Sequence, residues 1–282
     1  MMATTQQSGY LTLAGRHLYV TVFAPAAAPR AAVLLHEAFG EEKKSAFRVM
    51  VRLARQLAEQ GAAVVRYDPS GTGESSGDAA AATWDDWQAE AVGMAQWTRE
   101  RFGGVPWYAL GVRLGAFAAL HAASHAGAAG VVLVEPVLSG EDCLRDLERR
   151  QLIKQAVTGT DGAAAAGSAE RWARGEAVDF GGIPVGARLA ESLRGEVLCQ
   201  RLEGLPAACP LQVLRVSGGS SFPPAWGPLT ARAAATPPGR AVVVRDKPFW
   251  GQIEYYESDA VLREVGAFLS AAAGLAAPPE GS

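Results

Sequence analysis

Short, uninterrupted apolar runs alternate along the chain with longer stretches in which apolar residues return every three to four positions. AAVLLH (31–36), AAVVRYD (62–68), WYALGV (107–112) and AGVVLVEP (129–136) are runs of the first kind. Their shortness and their lack of polar alternation predict strands buried on both faces. KSAFRVMVRLARQLAEQG (44–61) has helical spacing and stops at Gly61. Thr83 is placed to cap a second helix running to about Phe102, with Trp84, Trp87, Val92 and Trp97 as its apolar residues. RLGAFAALHAASHA (113–126) predicts a third helix, and YLTLAGRHLYVTVFAP a hairpin folded at Ala14-Gly15.

The alternation breaks after residue 137. Residues 138–208 hold charged helical stretches, an alanine-glycine tract and DFGGIPVGARL, which predicts an inserted cap. PLQVLRVSGG (210–219) and RAVVVRD (240–246) resume as strands, and 259–273 predicts a closing helix. Residues 1–137 and 209–282 then form one α/β core, a mostly parallel sheet with helices on both faces. In such sheets ligands gather at the carboxyl ends of the strands.

Composition narrows the function classes. With 282 residues, 49% of them apolar, the chain can bury a large core. A net charge of -3 without a basic run argues against nucleic acid or an acidic membrane as partner. Cys143, Cys199 and Cys209 are odd in number and lack C-x-x-C spacing, which predicts free thiols in a reducing compartment. The opening MMATTQQSGY has no basic or apolar leader character, and no apolar stretch reaches membrane length. The expectation is a cytoplasmic protein with a small-molecule partner; its oligomeric state is left open.

The chemistry centres on YALGVRLGAF (108–117). Gly111-Val112-Arg113-Leu114-Gly115 follows a predicted strand and opens a predicted helix. That is the context of a nucleophile elbow, G-x-S-x-G, with arginine where serine would stand. The histidine base of such a site should follow the last strand, yet RDKPFWGQIEYYES has none, and all four histidines precede residue 126. The acid should follow the strand at 210–217, where VSGGSSFPP carries no carboxylate. A second match, Gly73-Glu74-Ser75-Ser76-Gly77, lies in a glycine-serine loop with no immediate helix, so Ser75 reads as turn chemistry.

With these pieces the chain resembles the α/β-hydrolase superfamily over about 10–137 and 210–273. Within it, HEAFGEEKKS, YDPSGTGESSGDAAAATWDDW, the arginine-bearing GVRLGA and DKPFWGQIE are similar to the exosortase A system-associated hydrolase group of the second type. The HEAFGEEKKS loop departs from that group in detail. The resemblance implies an α/β-hydrolase fold with a cap, an elbow arginine shared by the group, and a place in bacterial exopolysaccharide or protein-sorting gene neighbourhoods.

The strand ends should bring His36, Glu37, Glu41, Glu42, Arg113, Glu135, Trp250 and Glu254 to one mouth beneath the cap. A buried guanidinium needs an anion. Two partners stay open at this point: a glutamate of the protein, or a carboxylate, ester or phosphate ligand held with the help of the helix N-terminus. A catalytic version would use Arg113 to polarise an oxygen and Glu41 or Glu42 to direct water; the alternative is a non-catalytic pseudoenzyme or a partner-binding protein. His36, Glu37, Glu135, Trp250 and Glu254 complete the ligand-binding candidates. The other tryptophans, Trp84 among them, read as packing. His121 and His125 lack a third ligand at clear spacing, so no metal and no cofactor is predicted.

Overall fold

The apolar runs become the centre of an eight-stranded sheet in the computed structural model, which describes residues 3–158, 167–251 and 256–278. Its strands are β1 (Thr4–Leu13), β2 (Arg16–Pro25), β3 (Ala31–His36), β4 (Ala62–Tyr67), β5 (Trp107–Val112), β6 (Gly130–Val134), β9 (Leu211–Ser217) and β10 (Arg240–Arg245). A separate two-stranded ribbon holds β7 (Val178–Asp179) and β8 (Pro184–Val185). The order across the large sheet is β1-β2-β4-β3-β5-β6-β9-β10. The hairpin β1–β2 joins antiparallel to β4, and every pair from β4 to β10 is parallel.

The helices are α1 (Glu41–Glu59), α2 (Trp84–Arg101), α3 (Gly115–Ala126), α4 (Gly140–Thr158), α5 (Ser168–Ala173), α6 (Ala187–Arg194), α7 (Leu198–Glu203), α8 (Gly227–Ala234) and α9 (Asp259–Ala273). The pleat of β3 divides the core between them. Ala32 and Leu34 face a layer built with α2 and α3, while Ala31, Val33 and Leu35 face a layer built with α1 and α9. That two-sided burial is why β3 and β5 read as apolar runs and why β4 does so through Val65, before the buried Arg66. The Thr83 hydroxyl accepts from Asp86 N–H at 3.1 Å, capping α2 as its sequence predicts.

The excursion between β6 and β9 carries α4 to α7 and the β7–β8 ribbon. Trp172, Val185, Leu189 and Leu198 of this segment join the α2–α3 side of the core. Three departures from the sequence pattern matter. β1 begins at Thr4, where the polar TTQQSG pairs with β2 through backbone hydrogen bonds and stays exposed. The helix expected from 44 begins at Glu41, so Glu41 and Glu42 occupy its first turn, where negative charge suits the helix dipole. α8 follows Pro and Gly residues and gave no periodic signal.

Candidate functional site

The strand-to-helix turn after β5 has the form of an elbow. Arg113 adopts φ 53°, a left-handed conformation costly for a residue with a side chain. Its N–H donates to Val134 O at 3.1 Å, and its carbonyl accepts from Ala116 N–H at 3.2 Å. The turn fits because Gly115 has no side chain: a Cβ there would lie 2.2 Å from the His36 carbonyl oxygen and 2.5 Å from that of Glu37. The end of β3 is thereby pressed against the start of α3. No side chain caps α3, whose N-terminus is formed by Leu114 and Gly115.

Arg113 meets a protein carboxylate. Its Nε and Nη2 donate to Glu42 Oε1 at 3.0 and 2.8 Å, and its Nη1 donates to the Glu135 carbonyl at 3.2 Å. Asp146 Oδ2 stands 3.6 Å away, and the Trp250 ring centre lies 5.7 Å from the guanidinium carbon. Arg150 of α4 reaches the same Glu42 Oε1 at 2.6 Å. Burial opposes the charge of Arg113, but the Glu42 charge and hydrogen bonds more than offset it and raise its pKa. Burial raises the Glu135 carboxyl, opposed by the Val216 N–H and Arg113. Of the two partners open in the sequence, the anion held in the structure is Glu42.

The space left on this side is a cleft of about 20 Å³ lined by Glu41, Glu42, Arg113, Cys143, Asp146 and Arg150, among others. That is room for about one water. Burial pushes the Cys143 thiol up to about 12, so it is no thiolate.

The expected single mouth is in fact two regions. His36 and Glu37 line a separate cavity of about 620 Å³, together with Phe39, Tyr67, Trp84, Trp87 and the α3 start at Leu114 and Gly115. Arg113, Glu41, Glu42, Glu135 and Trp250 are not among its lining residues. The volume falls within the range of about 300–1,000 Å³ common for small-molecule sites. Two of the charged residues in its wall are paired: Glu37 with Arg66 at 2.6 Å and with Lys43 at 3.5 Å, and Lys43 also with Asp68. His36 is buried, with Nδ1 3.1 Å from the Tyr67 hydroxyl, and burial lowers its pKa to about 3, so it is neutral.

The division has a local cause. Glu37 ends near β3 and turns to Arg66, whereas Glu42 is already in the first turn of α1 and is carried to the elbow. Trp250 is buried against Phe249, with ring centres 4.3 Å apart, and packs on Arg113 rather than walling the large cavity. Glu254 lies outside the described residues. Ser75 accepts from Tyr19 N–H at 2.8 Å and donates to the Asp68 carbonyl at 2.5 Å, a turn tied to the sheet. His121 and His125 stack on each other at 4.1 Å; among the described residues no group of three or more His, Cys, Asp or Glu side chains is placed to hold a metal. Among those residues, too, no helix is long and apolar enough to cross a membrane. The residues missed by sequence reasoning are Asp146 and Arg150, which come from the excursion, and Lys43, Tyr67 and Trp84 of the large cavity.

The family model of the serine aminopeptidases, S33, matches residues 27–160. No curated protein matches the sequence significantly. Among solved structures, Est1E from Butyrivibrio proteoclasticus with bound ferulic acid is similar at TM-score 0.65 and 15% identity, over 93% of this chain and 97% of that one. The α/β-hydrolase GrgF from Penicillium sp. sh18 is similar at TM-score 0.63 and 15% identity, over 97% and 100% of the two chains. Proline iminopeptidase from Mycobacterium smegmatis is similar at TM-score 0.53 and 18% identity, over 84% and 89%. Its parallel sheet, the elbow after β5 and these likenesses show that the chain has the α/β-hydrolase fold.

Proposed function

We propose that this α/β-hydrolase-fold protein binds a small molecule with an apolar body in the His36–Trp84 cavity, and that it does not turn substrate over by a Ser-His-acid route. The observation that carries this reading is the contrast in space. The cavity of about 620 Å³ is large enough for a ligand, while the side of the elbow held by Arg113 has about 20 Å³ and an internal carboxylate. In this reading Arg113 is a clamp joining the elbow, α1 and α4, with Glu42 as its anion. An arginine at the elbow and the lack of any histidine after residue 125 support the absence of a serine triad. The segment 138–208 acts as the cap over this site, the protein works in the cytoplasm, and the likeness of GVRLGA and DKPFWGQIE to exosortase A system-associated hydrolases belongs to the same proposal.

A second reading, hydrolysis by other means, is favoured by the serine aminopeptidase match over 27–160 and by the uncapped α3 N-terminus at the cavity wall. Assays with p-nitrophenyl acetate, p-nitrophenyl butyrate and proline p-nitroanilide separate the two. We expect no turnover above buffer for the native protein, and none for Arg113→Ser, because restoring the hydroxyl does not supply a base. Turnover by the native protein, lost in a cavity-wall variant such as Leu189→Trp, would establish the second reading instead.

A further inference from the structure

The two edges of the large sheet are defended differently. β10 closes one edge with six residues, RAVVVR, and both of its arginines, Arg240 and Arg245, are exposed. Two copies of β10 laid antiparallel along their length would set Arg240 of one against Arg245 of the other, and like charges directly opposite repel. Charge of this kind keeps sheet edges from pairing between molecules. β1 closes the other edge with ten residues, TTQQSGYLTL, which hold neither a charge nor a proline. Among the described residues its only strand neighbour is β2, and Thr4 to Tyr10 are all exposed.

The pairing with β2 decides which backbone groups of β1 are left over. The Ala26 N–H donates to Ala3 O at 2.8 Å, and opposite residues of an antiparallel ladder alternate between bonded and non-bonded pairs. The odd-numbered residues of β1 therefore bond to β2, and Thr4, Gln6, Ser8, Tyr10 and Thr12 turn their N–H and C=O to the open edge. Local contacts agree. Thr4 stands opposite Pro25, which has no N–H to give. The Ser8 and Thr21 hydroxyls meet at 2.9 Å and Thr12 Oγ1 reaches His17 Nδ1 at 3.0 Å, the close approach of non-bonded pairs. Gln6 is anchored to α1, its Oε1 accepting from Arg55 Nη2 at 3.2 Å.

We infer that β1 is an interface between two copies of this chain, paired antiparallel about a two-fold axis at Ser8, so that two eight-stranded sheets become one. Ser8 is the middle of the five outward residues, so only this register uses all of them. Thr4 then meets Thr12, Gln6 meets Tyr10, and Ser8 meets Ser8 of the second copy. About ten backbone hydrogen bonds join the strands. A second copy is the partner this edge fits, because no position across the axis sets like charges together. Tyr10, at 63% exposure, gains the Gln6 stem of the second copy as a neighbour on its face. The contact is isologous and uses up both β1 edges. The edges that remain are the two β10 strands with their arginines, so assembly stops at two. None of this depends on what the large cavity binds.

Sedimentation equilibrium with three variants tests the inference. The native protein should populate a dimer at about 100 µM, within reach of a small polar interface. The Ser8 N–H bonds nothing within the chain, so Ser8→Pro should still melt cooperatively while raising the dimer dissociation constant at least about tenfold. Ser8→Lys and Ser8→Glu form the second arm. Each alone sets like charges across the axis and should weaken the dimer at least about threefold; mixed in equal amounts at low salt, the two should recover it. A native protein that is monomeric at about 100 µM overturns the inference and leaves the edge to an extended segment of another protein. A native dimer that folded Ser8→Pro leaves intact overturns it as well, and the interface is then elsewhere. Where proline prevents folding, the charged pair decides: self-association unchanged in Ser8→Lys and Ser8→Glu overturns the inference.

Discussion

The two sides of the elbow are filled by opposite means. On the β6 side, Arg113 and Arg150 converge on one carboxylate oxygen of Glu42, and the space closes to about 20 Å³. On the β3–β4 side, Glu37 pairs with Arg66 and Lys43 with Asp68, and about 620 Å³ remains open. The difference teaches where a ligand is needed. At the elbow the charge of Arg113 is answered by the carboxylate of Glu42, so this arginine asks nothing of a ligand.

Removing the carboxylate that closes the first side should have the largest effect. Glu42→Gln leaves two guanidiniums without their shared anion, Arg113 at 12% side-chain exposure and Arg150 at 22%. Breaking a buried pair from one side costs about 3–5 kcal/mol; the partial exposure of Arg150 and the nearby Asp146 argue for the lower end. Urea unfolding monitored by circular dichroism measures it. The double variant Glu42→Leu, Arg113→Met should recover much of the loss, because well-packed apolar groups replace a buried pair at little cost. A Glu42→Gln variant within about 0.5 kcal/mol of the native protein, the range of ordinary surface changes, would remove the clamp from the comparison.

The second prediction sharpens the open side through pH. His36 is neutral when folded, its pKa lowered by burial to about 3, against about 6.5 when unfolded. Between those values the unfolded chain binds the extra proton, so stability rises with pH. The contribution is fully present above about 6.5 and is lost as pH falls toward 3, at up to about 1.4 kcal/mol per pH unit within the window. Other groups titrate there too, including His121, lowered to about 4 mainly by burial. The informative quantity is therefore the difference between native protein and His36→Phe. That difference should grow in favour of the variant from pH 6.5 downward. Parallel stability curves would mean that His36 is not held neutral against the cavity.

Much of this fold was legible in the chain, for physical reasons that also mark the limit. β3 and β5 announce themselves because burial on both faces removes polar residues from the run. The closing helix at 259–273 has both its apolar spacing and a capping Ser258. The first half of β1 does not announce itself, since an exposed edge strand needs only backbone pairing. The site divides similarly. Arg113 stands out because two glycines frame it between a strand and a helix. Arg150 and Asp146 do not, because they reach the elbow from an excursion with no local signal for its docking. Glu37 and Glu42 look like one cluster in sequence, and the early start of α1 separates them. Trp84 reads as packing from its helical spacing; its place in the wall of the large cavity emerges only once α2, β3 and α3 are brought together.

The smallest expected effect on stability comes from filling the open side. Ala118 on α3 lines the large cavity, whereas its neighbour Ala119 is fully buried, and a Cβ on Gly111 would lie 2.7 Å from the Ala119 methyl. Ala118→Leu adds apolar atoms where there is space, so its unfolding free energy should stay within about 1 kcal/mol of native. Ala119→Leu adds the same atoms to a packed position and should cost about 1–3 kcal/mol. Binding should separate the two in the other direction. Ala118→Leu should weaken binding of an aromatic probe such as 2-ethylnaphthalene at least tenfold, on the order of one displaced contact of 1.4 kcal/mol, while Ala119→Leu, if folded, should leave it nearly unchanged. Equal destabilisation by both substitutions would mean that the cavity closes in solution. Unchanged binding of that probe in Ala118→Leu would mean that the ligand lies elsewhere on the molecule, and the contrast between the two sides of the elbow would then describe packing alone.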